Sequence, residues 1–148
     1  MNSFQQPVAG EHSVGTLHLI PEENRPPGWV FGPGTSTSFT DVNFSAYVPA
    51  GVKALLLQYA VIFDGNNVAD YNGYNLRKRG STETNVYKTV SVVAGYTNLA
   101  SGVKMQHYGE VTCGCDSSGY IQYRTYNGVT NHGALYLNIT GYYIWWMI

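Results

Sequence analysis

The side chains that most often do chemistry are present in this 148-residue chain, but their spacing matches no catalytic or metal-binding pattern. His12, His18, His107 and His132 all lie outside the HExxH and CxxC contexts that fix the geometry of a metal. No serine lies in the GxSxG turn that exposes a nucleophile. The nine carboxylates fall mostly in predicted turns or near the N-terminus, and no pair of them suggests a hydrolase. We therefore predict no catalytic site, no cofactor and no metal, so that the chain is not an enzyme.

Cys113 and Cys115, followed by Asp116 and with His107 in phase upstream, form the strongest of the weak metal patterns. Two thiolates need only two more ligands to complete a tetrahedral site. A free cysteine also packs as a small hydrophobe, and this interpretation is favoured here. A disulfide between residues i and i+2 of a strand would be strained, because the two side chains do not converge. The sequence therefore predicts two small apolar side chains at a strand end.

Three other polar patterns have ordinary structural interpretations. Arg77–Arg79 is the only basic cluster, and an edge strand protected by charge is favoured over a phosphate site. Residues 64–67 with Asp70 resemble a loose calcium loop, but they lack its spacing and its terminal glutamate, so a turn is favoured. Asn138-Ile139-Thr140 matches a glycosylation acceptor, which we discount because it lies within a predicted strand.

The composition limits the partners that the chain can have. Eight basic and nine acidic residues give a net charge of −1, and charged residues make up 11% of the chain, against about 25% in typical domains. This balance excludes the basic surface of a nucleic-acid-binding protein. The first residues lack the pattern of a secretory signal, and no apolar run approaches the ~18 residues of a membrane helix. We expect one folded domain with neither a nucleic-acid nor a membrane partner.

Apolar residues alternate or form short runs along the whole chain, and no sustained helical period occurs. Strands are predicted at residues 14–20, 39–48, 52–63, 75–79, 86–93, 103–113, 120–127 and 134–147. About eight strands predict an all-β fold, an antiparallel two-sheet sandwich that is jelly-roll-like. Residues 38–148 would form the sandwich, and residues 1–37 an extended N-terminal arm. The main core residues would be Phe44, Leu57, Val61, Leu137 and Tyr143.

Local signals refine this prediction. Both faces of the run 52–63 are apolar, which indicates a central strand. Asn127-Gly128 predicts a hairpin between the last two strands, and Gly141 predicts a bulge in the last one. The residues expected to share one face of the strand at 39–48 are Val42, Phe44, Ala46 and Val48.

The predicted arm carries apolar residues that it cannot bury alone. Its prolines and glycines, as in NRPPGWVFGPG, disfavour both a helix and a central strand. The residues that need cover are Leu17, Leu19, Ile20, Trp29, Val30 and Phe31. An extended peptide can obtain cover by adding to a sheet edge of another chain. We therefore expect the arm to bind another polypeptide, and the alternative is that it packs across its own sandwich.

The last two predicted strands are rich in aromatic residues, most of which have polar tips. These residues are Tyr120, Tyr123, Tyr126, Tyr136, Tyr142, Trp145 and Trp146. Such rings favour interfaces and can also stack on sugars. Tyr136, Tyr142 and Trp146 lie opposite the predicted core face of the last strand. Either the other strands of the fold cover this face, or a neighbouring subunit or a glycan contacts it.

Three segments resemble a pattern found in β-sandwich modules of tailed-bacteriophage virions. They are FTDVNFSAYVPAGVKALLLQYAVIFD, LRKRGS and ALYLNITGYYI, so that the resemblance covers residues 39–148. Such modules occur in head decoration proteins, head fibres, and tail or receptor-binding parts. The resemblance implies a non-enzymatic virion component, often trimeric, that is made in the host cytoplasm and recruited to the particle.

Two functions follow as expectations. The first is a capsid decoration, or cement, protein that binds the major capsid protein or other virion proteins through its arm. It would stabilise the head and self-associate through aromatic strand surfaces, with a trimer favoured. The alternative is a glycan- or receptor-binding module of a phage fibre or tail, in which aromatic rings stack on sugars.

Overall fold

Nine β-strands make up most of the structure, a computed structural model that describes residues 13–65, 67, 69–129 and 133–147. The strands are β1 (Ser13–Leu19), β2 (Phe31–Gly34), β3 (Thr40–Asn43), β4 (Ala54–Asp64), β5 (Ala69–Lys78), β6 (Val90–Asn98), β7 (Lys104–Gly114), β8 (Tyr120–Thr125) and β9 (Gly133–Met147). The remaining elements of this part are short 3-10 helices at Glu22–Asn24, Ser45–Tyr47 and Tyr126–Gly128. None of its helices is long and apolar enough to cross a membrane.

The strands form two antiparallel sheets, as the sequence predicts. The first sheet has the order β1-β9-β4-β7, with β2 also paired to β9, and the second has the order β3-β8-β5-β6. The pairing is nested along the chain, because β1 pairs with β9, β3 with β8, β4 with β7, and β5 with β6. Apolar side chains of both sheets meet in one core. The prediction of an antiparallel two-sheet sandwich is confirmed.

Strand β4 is the central strand that its two apolar faces predict. It pairs with β7 on one side and with β9 on the other over most of its length. Leu55, Leu57 and Val61 on its inner face are fully buried. Ala60 on its outer face is also buried, which explains why the alternation of polar residues is weak in this segment.

A bulge interrupts β9 where Gly141 predicts it. Leu57 lies opposite Ile139, but the preceding Leu56 lies opposite Gly141, so that Thr140 is the extra residue. A bulge reverses the alternation of side chains between the two faces of a strand. Consequently Tyr142 packs against the core, and the prediction that Tyr143 is a core residue is wrong.

The strand predicted at residues 39–48 is shorter in the structure. Val42 and Phe44 are buried as predicted, but Ala46 is exposed within the 3-10 helix Ser45–Tyr47. The side chain of Asn43 accepts a hydrogen bond of 2.8 Å from the N–H of Ser45. Such an Asx turn bends the backbone away from the extended conformation, so that the strand ends here.

The Asn127-Gly128 turn is present, but it does not form the predicted hairpin. Both residues have the positive φ angles, 53° and 70°, that favour these residue types. Strand β8 pairs with β3 and β5, whereas β9 pairs with β1, β2 and β4. The turn therefore carries the chain from one sheet to the other.

The described part of the predicted arm, residues 13–37, belongs to the first sheet. Strand β1 pairs with the second half of β9, and β2 pairs with its first half. The prolines that disfavour a central strand lie between β1 and β2 or within β2, an edge strand, where proline is tolerated. The boundary predicted between residues 37 and 38 is thus corrected, because removal of residues 1–37 would remove two paired strands.

Substitution of Leu57 by alanine should lower the free energy of unfolding by about 2–5 kcal/mol, because it leaves a cavity among fully buried side chains. Leu19→Ala is the matched control. Leu19 is 61% exposed, and its replacement should change the stability by no more than about 0.5 kcal/mol. Reversible urea denaturation of both variants measures the difference. Equal losses in the two variants would contradict the assignment of the inner face of β4.

Candidate functional site

The outer face of the first sheet carries a row of three residues, one from each of three neighbouring strands, with a tyrosine at either end. Tyr136 of β9 and Tyr108 of β7 each lie directly opposite Ala60 of β4. Directly opposite residues of antiparallel strands project to the same face. Because the neighbouring Val61 is in the core, this face points away from the second sheet. Tyr108 is 59% exposed, so the row presents an aromatic ring to the surroundings.

Trp29 extends this row into what we call the aromatic face, composed of Trp29, Gln58, Tyr108 and Tyr136. The indole of Trp29, which is 43% exposed, lies just before β2, and its centroid is 6.0 Å from that of the Tyr136 ring. A shallow cleft of about 330 Å³ is lined by Trp29, Gln58, Tyr59, Tyr108 and Gly109. The aromatic face thus combines two exposed rings with an exposed amide on a hydrogen-bonded sheet.

The chemistry of the aromatic face is that of binding. Exposed tyrosine and tryptophan rings pack against apolar surfaces and leave their polar atoms available for hydrogen bonds. The amide of Gln58 can donate and accept hydrogen bonds at the same time. The hydroxyl of Tyr108 donates a hydrogen bond to Oε1 of Gln106 on the same strand. These groups fit either a protein partner or a sugar.

The residues predicted to need cover from another chain divide into two groups. Ile20 is buried in the core, and Val30 and Phe31 pack against it, with the Phe31 ring 4.8 Å from that of Tyr123. The sandwich itself thus covers Ile20 fully and the other two in part, which is the alternative that the sequence leaves open. Leu17 and Leu19 stay exposed on the outer face beside Gly141.

The three aromatic residues singled out in the last strand lie in different places. Tyr136 belongs to the aromatic face, and Tyr142 packs against the core with its ring parallel to that of His18, the centroids 5.3 Å apart. The side chain of Trp146 lies outside the described residues. Gln58 and Tyr108 join Tyr136 only because β4 and β7 pair beside β9, and the sequence has no signal for that register.

The structure separates the residues considered for catalysis and metal binding. The side chain of His18 faces Tyr142, and Nε2 of His107 lies 3.2 Å from the hydroxyl oxygen of Tyr59. His12 and His132 lie outside the described residues. Within the described part of the chain, no three His, Cys, Asp or Glu residues are close enough to hold a metal ion.

Two other weak patterns are parts of regular structure. Asn67, in the loop that resembles a calcium site, has a φ of 63°, and its side chain accepts a hydrogen bond of 3.1 Å from the N–H of Ser101. This geometry is that of a turn, which agrees with the favoured interpretation. Asn138 is half-buried in β9, where it lies opposite Gln58, and Thr140 of the same acceptor motif is buried.

Arg77 and Arg124 lie on the outer face of the second sheet and hold the segment before β6. Their guanidinium carbons are 3.7 and 4.5 Å from the centroid of the Phe39 ring. They also donate hydrogen bonds to the backbone oxygens of Glu83 and Thr84. The prediction that the basic cluster lies on an edge strand is wrong, because β5 is an inner strand of the order β3-β8-β5-β6, although its pairing with β6 ends at Leu76 and only β8 pairs with it at the cluster.

Arg79, the last residue of the basic cluster, joins two carboxylates. Its Nε donates a hydrogen bond of 2.6 Å to Asp116, and its Nη1 lies 3.6 Å from Asp41. Partial burial raises the pKa of Asp116, but hydrogen bonds from the N–H groups of Tyr120 and Ser118 and from Arg79 outweigh this effect. The pKa of Asp116 therefore lies below its usual value. This carboxylate supports a turn and has no catalytic partner among these groups.

Both cysteines are reduced and buried, in agreement with the favoured interpretation. Burial raises the pKa of Cys113 to about 12, and the neighbouring Cys115 adds to this effect. Burial and the charge of Asp116 raise the pKa of Cys115 to about 11, although Lys78 and Lys53 oppose the change. A metal would need thiolates, and this environment disfavours them.

The sequence matches no protein-family model and no curated protein. The features of this chain that bear on its function are therefore the sandwich, the aromatic face and the resemblance of residues 39–148 to phage sandwich modules.

Asp116→Asn should destabilise the protein by about 1–2 kcal/mol near neutral pH, because the replacement weakens charge-assisted hydrogen bonds. The lowered pKa means that the carboxylate stabilises the fold above about pH 4 and that this contribution is lost as the pH falls through the folded pKa. The gap between wild type and variant should thus narrow in urea titrations at about pH 2.5. Asp64→Asn is the control, since the ion pair of Asp64 with Lys104 is largely exposed. It should cost less than about 0.5 kcal/mol.

Both thiols should react slowly with a thiol-specific disulfide reagent at about pH 8, since burial disfavours the thiolate and blocks access. In denaturant both should react at the rate of a free cysteine peptide. Absorbance of the released chromophore measures the stoichiometry. Rapid labelling of one thiol in the native protein would contradict the burial of that side chain.

Proposed function

We propose that this chain is a non-enzymatic structural protein of a tailed-bacteriophage virion, a capsid decoration protein that binds the major capsid protein or another virion protein. The observation that carries the proposal is the aromatic face, where Tyr108 of β7 and Trp29, just before β2, are exposed on the outer face of the first sheet. Tryptophan and tyrosine are enriched among the residues that dominate binding energy at interfaces. The contact surface is thus the sheet and the segment before β2, in place of a detached arm.

The resemblance to phage sandwich modules is a second observation, independent of the aromatic face, that supports the proposal. Its longest segment, residues 39–64, contains β3, the following turn and the central strand β4. The resemblance therefore covers the part of the chain on which the fold depends. We further propose a jelly-roll topology, which the nested pairing of strands supports.

Such a protein acts mechanically. A binding face built on hydrogen-bonded strands is rigid, so that little conformational entropy is lost when it docks. Contacts repeated by the symmetry of a shell would tie neighbouring capsid subunits together. Because the decoration protein binds only the assembled shell, its binding free energy adds to the stability of that shell. The proposed location is the virion, after synthesis in the host cytoplasm.

The cleft on the aromatic face favours a second candidate function, glycan binding on a fibre or tail. Two exposed rings flank a cleft that is also lined by the amide of Gln58. Ring faces stack on the apolar faces of sugars, and amides bind hydroxyl groups. The two candidates use the same residues but differ in the surface that they bind.

The double variant Trp29→Ala/Tyr108→Ala distinguishes the two functions from each other and from an unrelated role. Wild-type protein should bind purified phage heads lacking it, and the variant should bind them at least about tenfold more weakly. Tyr87→Ala is the control, since Tyr87 is 89% exposed but lies in the segment before β6, outside the aromatic face. Co-sedimentation with heads measures the affinity. Binding to host cells in place of heads would support the glycan candidate, and an unchanged affinity of the double variant for heads would overturn the assignment of this face.

A further inference from the structure

One edge of the first sheet is a long strand with an unpaired side. Strand β7 has 11 residues and is the last strand in the order β1-β9-β4-β7, so that in the described part of the chain no strand pairs with its outer side. It pairs with β4 over its full length without a register shift. Every second residue of β7 therefore points its backbone N–H and C=O groups away from β4, in a regular row along the edge.

This edge lacks the backbone devices that prevent strand addition, although it carries the charged side chains of Lys104 and Glu110, which repel a partner strand only in registers that do not pair them. Natural edges are commonly short, bulged or interrupted by proline. Strand β7, with the sequence KMQHYGEVTCG, contains no proline and no bulge. Many of its side chains are exposed, namely Lys104, Gln106, His107, Tyr108, Glu110 and Thr112. The edge is thus sterically open and regular enough to pair with another strand.

We propose that β7 pairs with β7 of a second copy of this chain, antiparallel and with His107 opposite His107 of that copy. In this register Lys104 lies opposite Glu110 at both ends of the pair, so that opposite charges meet twice. Gln106 lies opposite Tyr108, whose hydroxyl already bonds a glutamine amide within one copy. Opposite charges across strands stabilise a pair, whereas like charges destabilise it.

The sequence of β7 selects this register over its neighbours. In an antiparallel pair, the residues whose N–H groups point outward must lie opposite one another. The register can therefore shift only by two residues at a time, which keeps each side chain on the same face of the sheet. The next register in one direction places Lys104 opposite Tyr108, and the next in the other direction places it opposite Thr112. Neither brings Lys104 to Glu110. The charge pattern of the strand is therefore self-complementary in one arrangement.

The charges of the neighbouring strand extend this complementarity. Nζ of Lys104 lies 3.4 Å from Asp64 of β4 within one copy. In the proposed pair, Lys104 would lie between that carboxylate and Glu110 of the second copy, so that charges alternate along the row. Glu110 in turn lies beside Gln58, which is neutral. No like charges from β4 and β7 are thus placed in contact by the pairing.

The pairing has two-fold symmetry and joins two five-stranded sheets into one continuous sheet. It is independent of the proposed function, because it needs neither a capsid nor a glycan. It does not produce the trimer that the resemblance implies, which would need another surface. The aromatic face continues across the junction, since Tyr108 lies beside Gln106 of the second copy.

Charge reversal in two separate variants tests the register. Lys104→Glu and Glu110→Lys each place like charges opposite each other in a homodimer, so each should dimerise at least about tenfold more weakly than wild type. Mixing the two variants should restore the dimer, because every opposed pair is then of opposite sign. Lys88→Glu, a charge reversal on an exposed residue outside β7, is the control and should dimerise like wild type. Sedimentation velocity over a range of concentrations measures the dissociation constants, and thermal unfolding verifies that each variant is folded.

A monomeric or trimeric wild type at all concentrations would overturn the proposal, and so would a mixture no more dimeric than its components. The symmetry has a second test, which keeps the proposal testable if Lys104→Glu fails to fold beside Asp64. His107→Cys should form a disulfide-linked dimer under mild oxidation, because the two side chains meet at the two-fold axis. Thr112→Cys is the control. Residue 112 is exposed on the same strand, but in the proposed pair it lies far from residue 112 of the second copy, so this variant should not form a disulfide-linked dimer. Equal cross-linking of both variants, or of neither, would contradict the proposed pair.

Discussion

The burial of β4 between two partner strands is the constraint on which the rest of this structure depends. Its backbone groups bond to β9 on one side and to β7 on the other, and its inner side chains fill the centre of the core. The inner face of this strand must be apolar because it fills the core, and Leu55, Leu57, Val61 and Phe63 satisfy that demand, whereas Gln58 on the outer face is exposed. The other strands of the first sheet are then positioned by pairing with β4 directly, as β7 and β9 do, or through β9, as β1 and β2 do.

The fold class could be predicted from the sequence because alternation and turn residues are local signals. The central strand, the bulge at Gly141 and the burial of Phe44, Leu57, Val61 and Leu137 are all confirmed. The predictions that are wrong concern features that a local signal starts but that pairing with distant strands completes. Asn127-Gly128 specifies a turn, but whether that turn joins paired strands depends on which sheet accepts β9. Similarly, Gly141 indicates a bulge, yet the reversed phase of Tyr142 and Tyr143 becomes visible only against β4.

The candidate site was harder to predict than the fold, for the same reason. Trp29 and Tyr136 attract attention as aromatic residues, but nothing in the sequence brings them near Gln58 and Tyr108. The row exists because three strands pair in one register. The prediction of an extended arm fails for a different reason. The edge of β9 is available within the chain, and an intramolecular partner is favoured by its high effective concentration. Proline-rich connections are compatible with edge strands, although they argue against central ones.

The nested pairing of strands also determines where the two ends of the described chain lie. Ser13 at the start of β1 is directly opposite Met147 at the end of β9. Both ends of the described chain therefore lie at one corner of the sandwich, on β1 and β9, which are three and two strands away from β7. A peptide or domain attached directly at Ser13 or Met147 would project from that corner, two or more strands away from the β7 edge. The molecule could therefore display such cargo and keep that edge free.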